Sequence, residues 1–483
     1  CVLTCVAVTS LCYCVWEQQR RARRLLAGLP QYTALPFIGH MHHFFGDGRQ
    51  LFYHLERITK MAEEKMSSFA VWLGPLPIML THDPHDMRAI ANCCIEKPFF
   101  YSFTKLWLGD GLVTASGSIW KQNIKKLGGV FTPTTVAGFQ GVFNAQAQKL
   151  VESLRNEVDG EPFNILDKYL AFTSLEAISH TALGGSEDSE LDTRYYDVFN
   201  RTLELLIARG LTYLHYPDLI YRLTAAHKEY KRCVATLLNV SETVCIFISF
   251  KMAGNSKFKS YLDILLDMRD EDPSFTEEQI NAEVGTIIFG GQETVSTTLF
   301  HSLLMIGCQQ QIQDALYNEI KTIFGNSDRP VESEDLNRMR YCEAVLNETL
   351  RLYPPLPVVM RYADRDVLIK SCTIPKGTIC FLNFWGAGRS IRVWGSDADQ
   401  YRPERWLVDQ DQSSRTHLAF SCGRRACIGK KYAMAYMKTI LAYCVKSFRF
   451  HSRAEKLQFR LDVSLKAVSG HLIQVKPREN PVI

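Results

Sequence analysis

The chain has 483 residues, 46% of them hydrophobic and 22% charged, with a formal net charge of +4. That length can bury a substantial core, and so small a net charge excludes nucleic acid as the expected partner. Fifteen cysteines are scattered without a CxxC pair, which argues against a tetrahedral zinc site and a disulfide framework and fits a reducing compartment.

In chain order, the first element is CVLTCVAVTSLCYCVW, 16 residues without a charge, followed by EQQRRARR with Arg20, Arg21, Arg23 and Arg24. A helix of that length is about 24 Å long, short of the about 30 Å of a hydrocarbon core. We therefore expect residues 1–16 to be the end of a transmembrane anchor that begins upstream of Cys1, with the arginine-rich side cytoplasmic. The alternative is the end of a cleaved secretory signal, but no small-residue cleavage site precedes the arginines. Residues 17–40 read as a basic linker and a hinge stiffened by Pro30 and Pro36, and residues 41–483 as one large domain.

The run FAVWLGPLPIMLT, broken at Gly74 and Pro75, predicts a β-hairpin. Phe99, Phe100, Tyr101, Phe103 and Trp107 form an aromatic run that suits either a core cluster or a pocket wall. From about residue 119 to residue 352 helical periodicity dominates and prolines are few. Within it, residues 206–223 read as a buried helix pair or as an apolar, membrane-touching entrance.

The most informative helix runs NAEVGTIIFGGQETVSTTLFHSLLMIG. Gly290 and Gly291 each cost about 1 kcal/mol relative to alanine, so the pair predicts a kink or widened turn with room for a small ligand. Glu293 and Thr294 then place an acid and a hydroxyl in an apolar element. A core helix whose threonine bonds back to its own backbone is the alternative. Glu348 and Arg351 lie three apart on a helical face, and RLYPPLP ends the helical region. Short strands DVLIK and TICFLNF follow, around a turn at IPKG. GAGRSI lacks the last glycine of a dinucleotide loop, and no Walker loop is present. Electrons for any redox chemistry must then come from a separate protein.

Residues 420–429 read FSCGRRACIG, and the residues that follow recur at helical spacing. This describes a thiolate, Cys427, presented to a metal where a helix begins, with backbone N–H groups and the positive dipole end favouring the thiolate. Gly423 and Gly429 suit a backbone that turns tightly and approaches a flat cofactor, and Arg425 suits an anionic group on it. A buried free cysteine beside a helix is the bland alternative.

FSCGRRACIG closely resembles the haem-binding signature of the cytochrome P-450 monooxygenases, and within that family the likeness is to the membrane-bound animal enzymes of the fourth clan. The resemblance implies a mainly α fold with a small β portion, a single catalytic domain (41–483) around a buried haem b. It implies Cys427 as the iron ligand, with Phe420, Gly423, Arg425 and Gly429 as its cofactor-binding neighbours. Gly290-Gly291-Gln292-Glu293-Thr294 matches the family's oxygen-activating helix. Thr294 would hydrogen-bond dioxygen, Glu293 would relay protons, and the glycines would border the haem. Glu348, Arg351 and Arg405 of the PERW segment would form a buried network that holds the cysteine loop. Trp120 and Arg361 match residues that meet the haem propionates. The arginine usually found four residues after that tryptophan is Ile124 here, and Lys125, the candidate substitute, projects about 100° around the helix. Some members of the clan link haem covalently to a glutamate; Gly290 stands at that position, so no link is expected.

The resemblance further implies a monooxygenase that inserts one oxygen atom from O2 into an apolar small molecule. Electrons would come from an NADPH-dependent reductase, with cytochrome b5 as an optional second donor. The expected site is the endoplasmic reticulum membrane, with the catalytic domain cytoplasmic and in contact with lipid. Lys121, Lys125, Lys126, Arg424, Lys430, Lys431 and Lys438 are candidates for a docking face for an acidic flavoprotein, and the aromatic run with Val358 to Met360 for the pocket. A haem-thiolate isomerase or dehydratase, and a non-catalytic lipid binder, are the rivals.

Overall fold

A 32-residue helix from Glu277 to Cys308 (α5) runs through the core and organises everything that packs on it. Thr276 caps it by accepting from the Gln279 N–H, and Glu277 and Glu278 complement its positive end. The computed structural model describes the chain except residues 1–12, 14–15, 183, 185–193, 252–259, 273–274, 409–416, 455–456 and 479–483. The other helices used below are α1 (Gly117–Leu127), α2 (Gln140–Arg155), α3 (Ala171–Ala182), α4 (Arg194–Leu211), α6 (Arg340–Leu352) and α7 (Lys430–Ser447).

Helix α5 is apolar nearly all round because neighbours cover it on every side. It stays α-helical through Gly290 and Gly291, without a widened turn. The two glycines serve different ends. A Cβ on Gly291 would come within 2.6 Å of the Ile178 side chain on α3, so this glycine lets two helices close up. A Cβ on Gly290 would meet nothing within 4 Å, so open space lies beside the helix there, as the sequence led us to expect. On the far side α7 packs against α2 through Phe143, whose ring lies 5.2 Å from Tyr432 and 5.5 Å from Tyr436. Each such fully buried aromatic contributes about 1.5–3 kcal/mol.

The expected hairpin forms as β1 (Phe69–Leu73) and β2 (Leu76–Thr81), with Gly74 at φ +58 in the turn. A four-stranded sheet grows from it by tertiary pairing. β3 (Val358–Tyr362) pairs antiparallel with β4 (Ile379–Asn383), which runs parallel to β2 with Ile78 opposite Ile379. The sequence missed β3, which follows the proline cluster directly, and most of DVLIK is not strand: only Val367–Leu368 pairs, with Thr373–Ile374. Near the C-terminus, β5 (Gln458–Asp462) and β6 (Ser464–Ser469) form a second hairpin.

The expected anchor, residues 1–16, lies mostly outside the described residues, and no described helix is long and apolar enough to cross a membrane. Residues 16–26 are helical, and Ala22 and Leu26 are buried against the sheet side of the molecule. Arg21 pairs with Asp366, and Arg23 lies over the Trp72 ring at 5.5 Å. The proline-rich stretch is pinned to β1 by the Ala70 N–H to Pro30 O bond (2.9 Å) and the His40 N–H to Trp72 O bond (2.7 Å).

Candidate functional site

The cysteine loop is built from turns that few residues accept. Ser421 (φ +61) and Gly423 (φ +69) take left-handed backbone in succession with one extended residue between them. A Cβ on Gly423 would come within 2.6 Å of the Ala91 backbone, so only glycine fits. The loop closes where the Cys427 N–H donates to Phe420 O at 2.9 Å. Gly429, by contrast, has φ −84 and simply precedes α7; a Cβ there would sit 3.8 Å from the Cys427 sulfur, an ordinary contact. Gly429 therefore lies in the turn expected from the sequence, but that turn does not need left-handed backbone.

Cys427 is exposed to a water-sized sphere, yet protein crowds it on all sides at longer range. Both hold because the sulfur opens onto an interior space. Burial raises the thiol pKa, and the N–H groups of Gly429 and Lys430 and the Lys430 charge pull it back. The helix-start effect expected from the sequence is present, but burial outweighs it.

A cluster of cations lies beside this loop. Arg425 stacks over the Trp120 ring at 4.9 Å and gives one N–H to Ala115 O at 2.6 Å, leaving Nε and Nη1 buried without partners. Arg361, 2% exposed, donates to Met360 O at 3.0 Å and leaves Nε without a partner. Lys97 sits over the Tyr101 ring at 4.1 Å. Burial first, and then mutual repulsion, lowers the pKa of Lys97 and brings Arg425 down to about 10. Among the described residues none of the three is ion-paired with a carboxylate. Unpaired buried cations are costly, and orphaned N–H groups pointing to one place call for an anion. A flat cofactor with carboxylates on its edge and a metal for a thiolate would supply an anion to the unpaired N–H groups of Arg361 and Arg425 and a metal to Cys427, so the residues present fit haem.

The third cation of this cluster is one the sequence did not single out. Lys125 is exposed and Ile124 packs against the core, whereas Lys97 feels the charges of Arg361 and Arg425. It lies 23 residues before Trp120, and only the folded chain brings the two elements together.

On the other side of the space, Thr294 is half-buried and its Oγ1 donates to Gly290 O at 2.6 Å. Glu293 is fully buried and ion-paired with Lys466 of β6 at 2.5 Å, a partner no sequence pattern signalled. Trp107, Phe199 and Phe289 form a wall with ring centroids 5.5–6.0 Å apart. Phe99, Phe100 and Phe103 cluster on Tyr216, so the aromatic run and the apolar segment 206–223 meet. Leu214, Leu219 and Leu223 of that segment are exposed. Val358, Val359 and Met360 are each half-buried on β3.

The structural network forms as expected. Arg351 makes two 2.8 Å bonds to Glu348, Arg405 reaches the same carboxylate at 3.0 Å, and Trp406 Nε1 donates to it at 2.9 Å. The tryptophan completes the set and was missed. Of the basic residues, Lys121, Lys125, Lys126, Arg424, Lys430 and Lys431 are exposed. Lys438 is not part of that face: it is buried and bonded to Leu336 O at 2.8 Å and to Glu343 at 2.5 Å.

Comparison with known proteins gives the same picture from another direction. The family described as Cytochrome P450 matches residues 29–472. The chain is 29% identical to "Cytochrome P450 4V2" of Homo sapiens, over 96% of this chain and 91% of that protein. It is 28% identical to "Cytochrome P450 4c21" of Blattella germanica, over 93% of each, and 26% identical to "Cytochrome P450 4c3" of Drosophila melanogaster, over 97% and 93%.

Proposed function

The chain belongs to the cytochrome P450 family of haem-thiolate monooxygenases, and on that premise we propose that it oxygenates an apolar small molecule with electrons from a separate NADPH-dependent reductase. The observation that carries the assignment of the site is the unpaired cation set, Lys97, Arg361 and Arg425, gathered around Trp120 beside the Cys427 loop.

In this proposal Cys427 is the thiolate ligand, Lys97, Arg361 and Arg425 hold the propionates, and Trp120 braces Arg425. Haem b, when bound, supplies the activation of dioxygen and the transfer of one oxygen atom. The protein's residues do the rest. The Glu348 network fixes the segment that leads into the cysteine loop. Gly290 leaves space against the helix, and Thr294, already bonded to Gly290 O, offers a hydroxyl to that space. Glu293 is the acid from which protons reach it. The wall of Trp107, Phe199 and Phe289 excludes water and favours an apolar substrate.

Two surfaces support the partner assignments. Lys121, Lys125, Arg424, Lys430 and Lys431 offer positive charge to an acidic reductase, or to cytochrome b5. Phe37 (95% exposed) and Leu223 (81% exposed) mark apolar patches suited to a lipid surface, which supports attachment to the endoplasmic reticulum with the domain on the cytoplasmic side. We propose residues 41–483 as the catalytic domain.

The test is the reduced carbon monoxide spectrum. Cys427→Ala is expected to abolish the thiolate-ligated band; a variant that kept it would remove Cys427 from the site.

A further inference from the structure

Lysine rarely sits on an inward-facing strand position, because an ammonium taken out of water is costly unless paired. Lys466 does so on β6, at 8% exposure. Its Nζ lies 2.5 Å from Glu293 on α5 and 3.3 Å from the Tyr196 hydroxyl on α4, over whose ring it also passes at 5.3 Å. One ammonium thus joins three elements: the C-terminal hairpin, α4 and α5. The hairpin is tied down independently, by the Leu465 N–H to Pro355 O bond (2.9 Å) and by Arg460 to Glu204 (2.7 Å).

Among the described residues no aligned hydrogen bond reaches either oxygen of Glu293, so Lys466 is its only direct counter-charge. At 0% exposure the carboxylate has no access for water, whereas Thr294, one residue on, is half-buried. The other titratable groups facing the pair are Tyr196, Asp167, Asp197, His471 and His301. Desolvation also raises the pKa of Asp167 at the outer end of the cluster.

We propose that Lys466 is a positioning residue for the reaction: from the C-terminal hairpin it holds the Glu293 carboxylate ionised and in place on α5. This rests on the assignment of Glu293 as the acid. It gives the β5–β6 hairpin a function beyond lining the core.

The experiment pairs infrared pH titration of the carboxyl C=O band, on haem-free and haem-loaded full chain, with product formed per NADPH. Wild type is expected to show no protonated-Glu293 band near neutral pH, judged by difference from Glu293→Gln. Lys466→Met, which leaves a buried carboxylate without its cation, should gain that band, and Lys466→Met/Glu293→Gln should lose it. Product per NADPH should fall about tenfold in Lys466→Met, less than the ~100-fold typical for losing the proton-transfer group itself. Lys466→Arg should restore both. A neutral-acid band in wild type overturns the proposal without recourse to any Lys466 variant, and so does Lys466→Met with no new band or unchanged coupling. If Glu293→Gln leaves coupling untouched, the acid assignment falls and takes the proposal with it. If Glu293→Gln uncouples and Lys466→Met does not, the role of Lys466 alone is refuted.

Discussion

Glu283 offers the sharpest quantitative test of the fold. It is fully buried on α5, and among the described residues no cation pairs with it. Its carboxylate instead accepts from the Leu112 N–H (3.1 Å), Asn123 Nδ2 (2.9 Å), Gln279 Nε2 (3.2 Å) and the Tyr261 hydroxyl (3.3 Å). One side chain thereby ties α1, which carries Trp120, to α5 and to the loop at Leu112. Burial lifts its pKa from 4.5 to about 7, and the four donors offset only part of that. A carboxyl whose pKa is higher folded than unfolded stabilises the native state fully below the unfolded value, and that stabilisation is lost as pH rises through about 7. Between pH 8 and pH 5 the gain is about 2.5 kcal/mol, at 1.36 kcal/mol per pH unit. Glu283→Gln keeps the size and removes the titration. The assay is urea unfolding of both proteins across that range, taking the difference so that every other group cancels. Wild type should gain about 2.5 kcal/mol on the variant as pH falls. A difference that stays flat would refute the account of Glu283 as a buried carboxylate without a counter-ion.

Three further outcomes are expected. Glu348→Gln strands Arg351 and Arg405, each less than a tenth exposed, and should cost about 3–5 kcal/mol, read as a lower melting temperature and haem loss on dilution. Lys97→Met should weaken haem retention about tenfold, the effect of about 1.4 kcal/mol, while Lys125→Met leaves it unchanged; competition for haem by apomyoglobin separates the two. Gly291→Val should lower stability by about 1–3 kcal/mol through its collision with Ile178. Gly290→Ala should fold normally and instead change the ligand-induced Soret shifts, because its Cβ enters open space.

The family and the Glu348–Arg351 pair could be read from the sequence because each rests on residues close together in the chain, whereas Arg405 joined that pair only through the family resemblance. In FSCGRRACIG the spacing itself sets the turn and the start of α7, and the helical period of α5 and the hairpin at Gly74 are likewise local. What the linear pattern could not reach were pairings that span the chain. Lys97 comes within reach of the charges of Arg361 and Arg425, the latter stacked on Trp120, whereas Lys125 stays exposed. Lys466 finds Glu293 from 173 positions further along the chain, and Lys438 turns inward to Glu343 although it reads as surface charge. At Gly290-Gly291 the cost of a glycine is local, but what it makes room for, Ile178 on one side and open space on the other, is decided by neighbours from elsewhere. Charge type and spacing determined which chemistry the chain carries; burial, which depends on the whole fold, decided which charges take part in it.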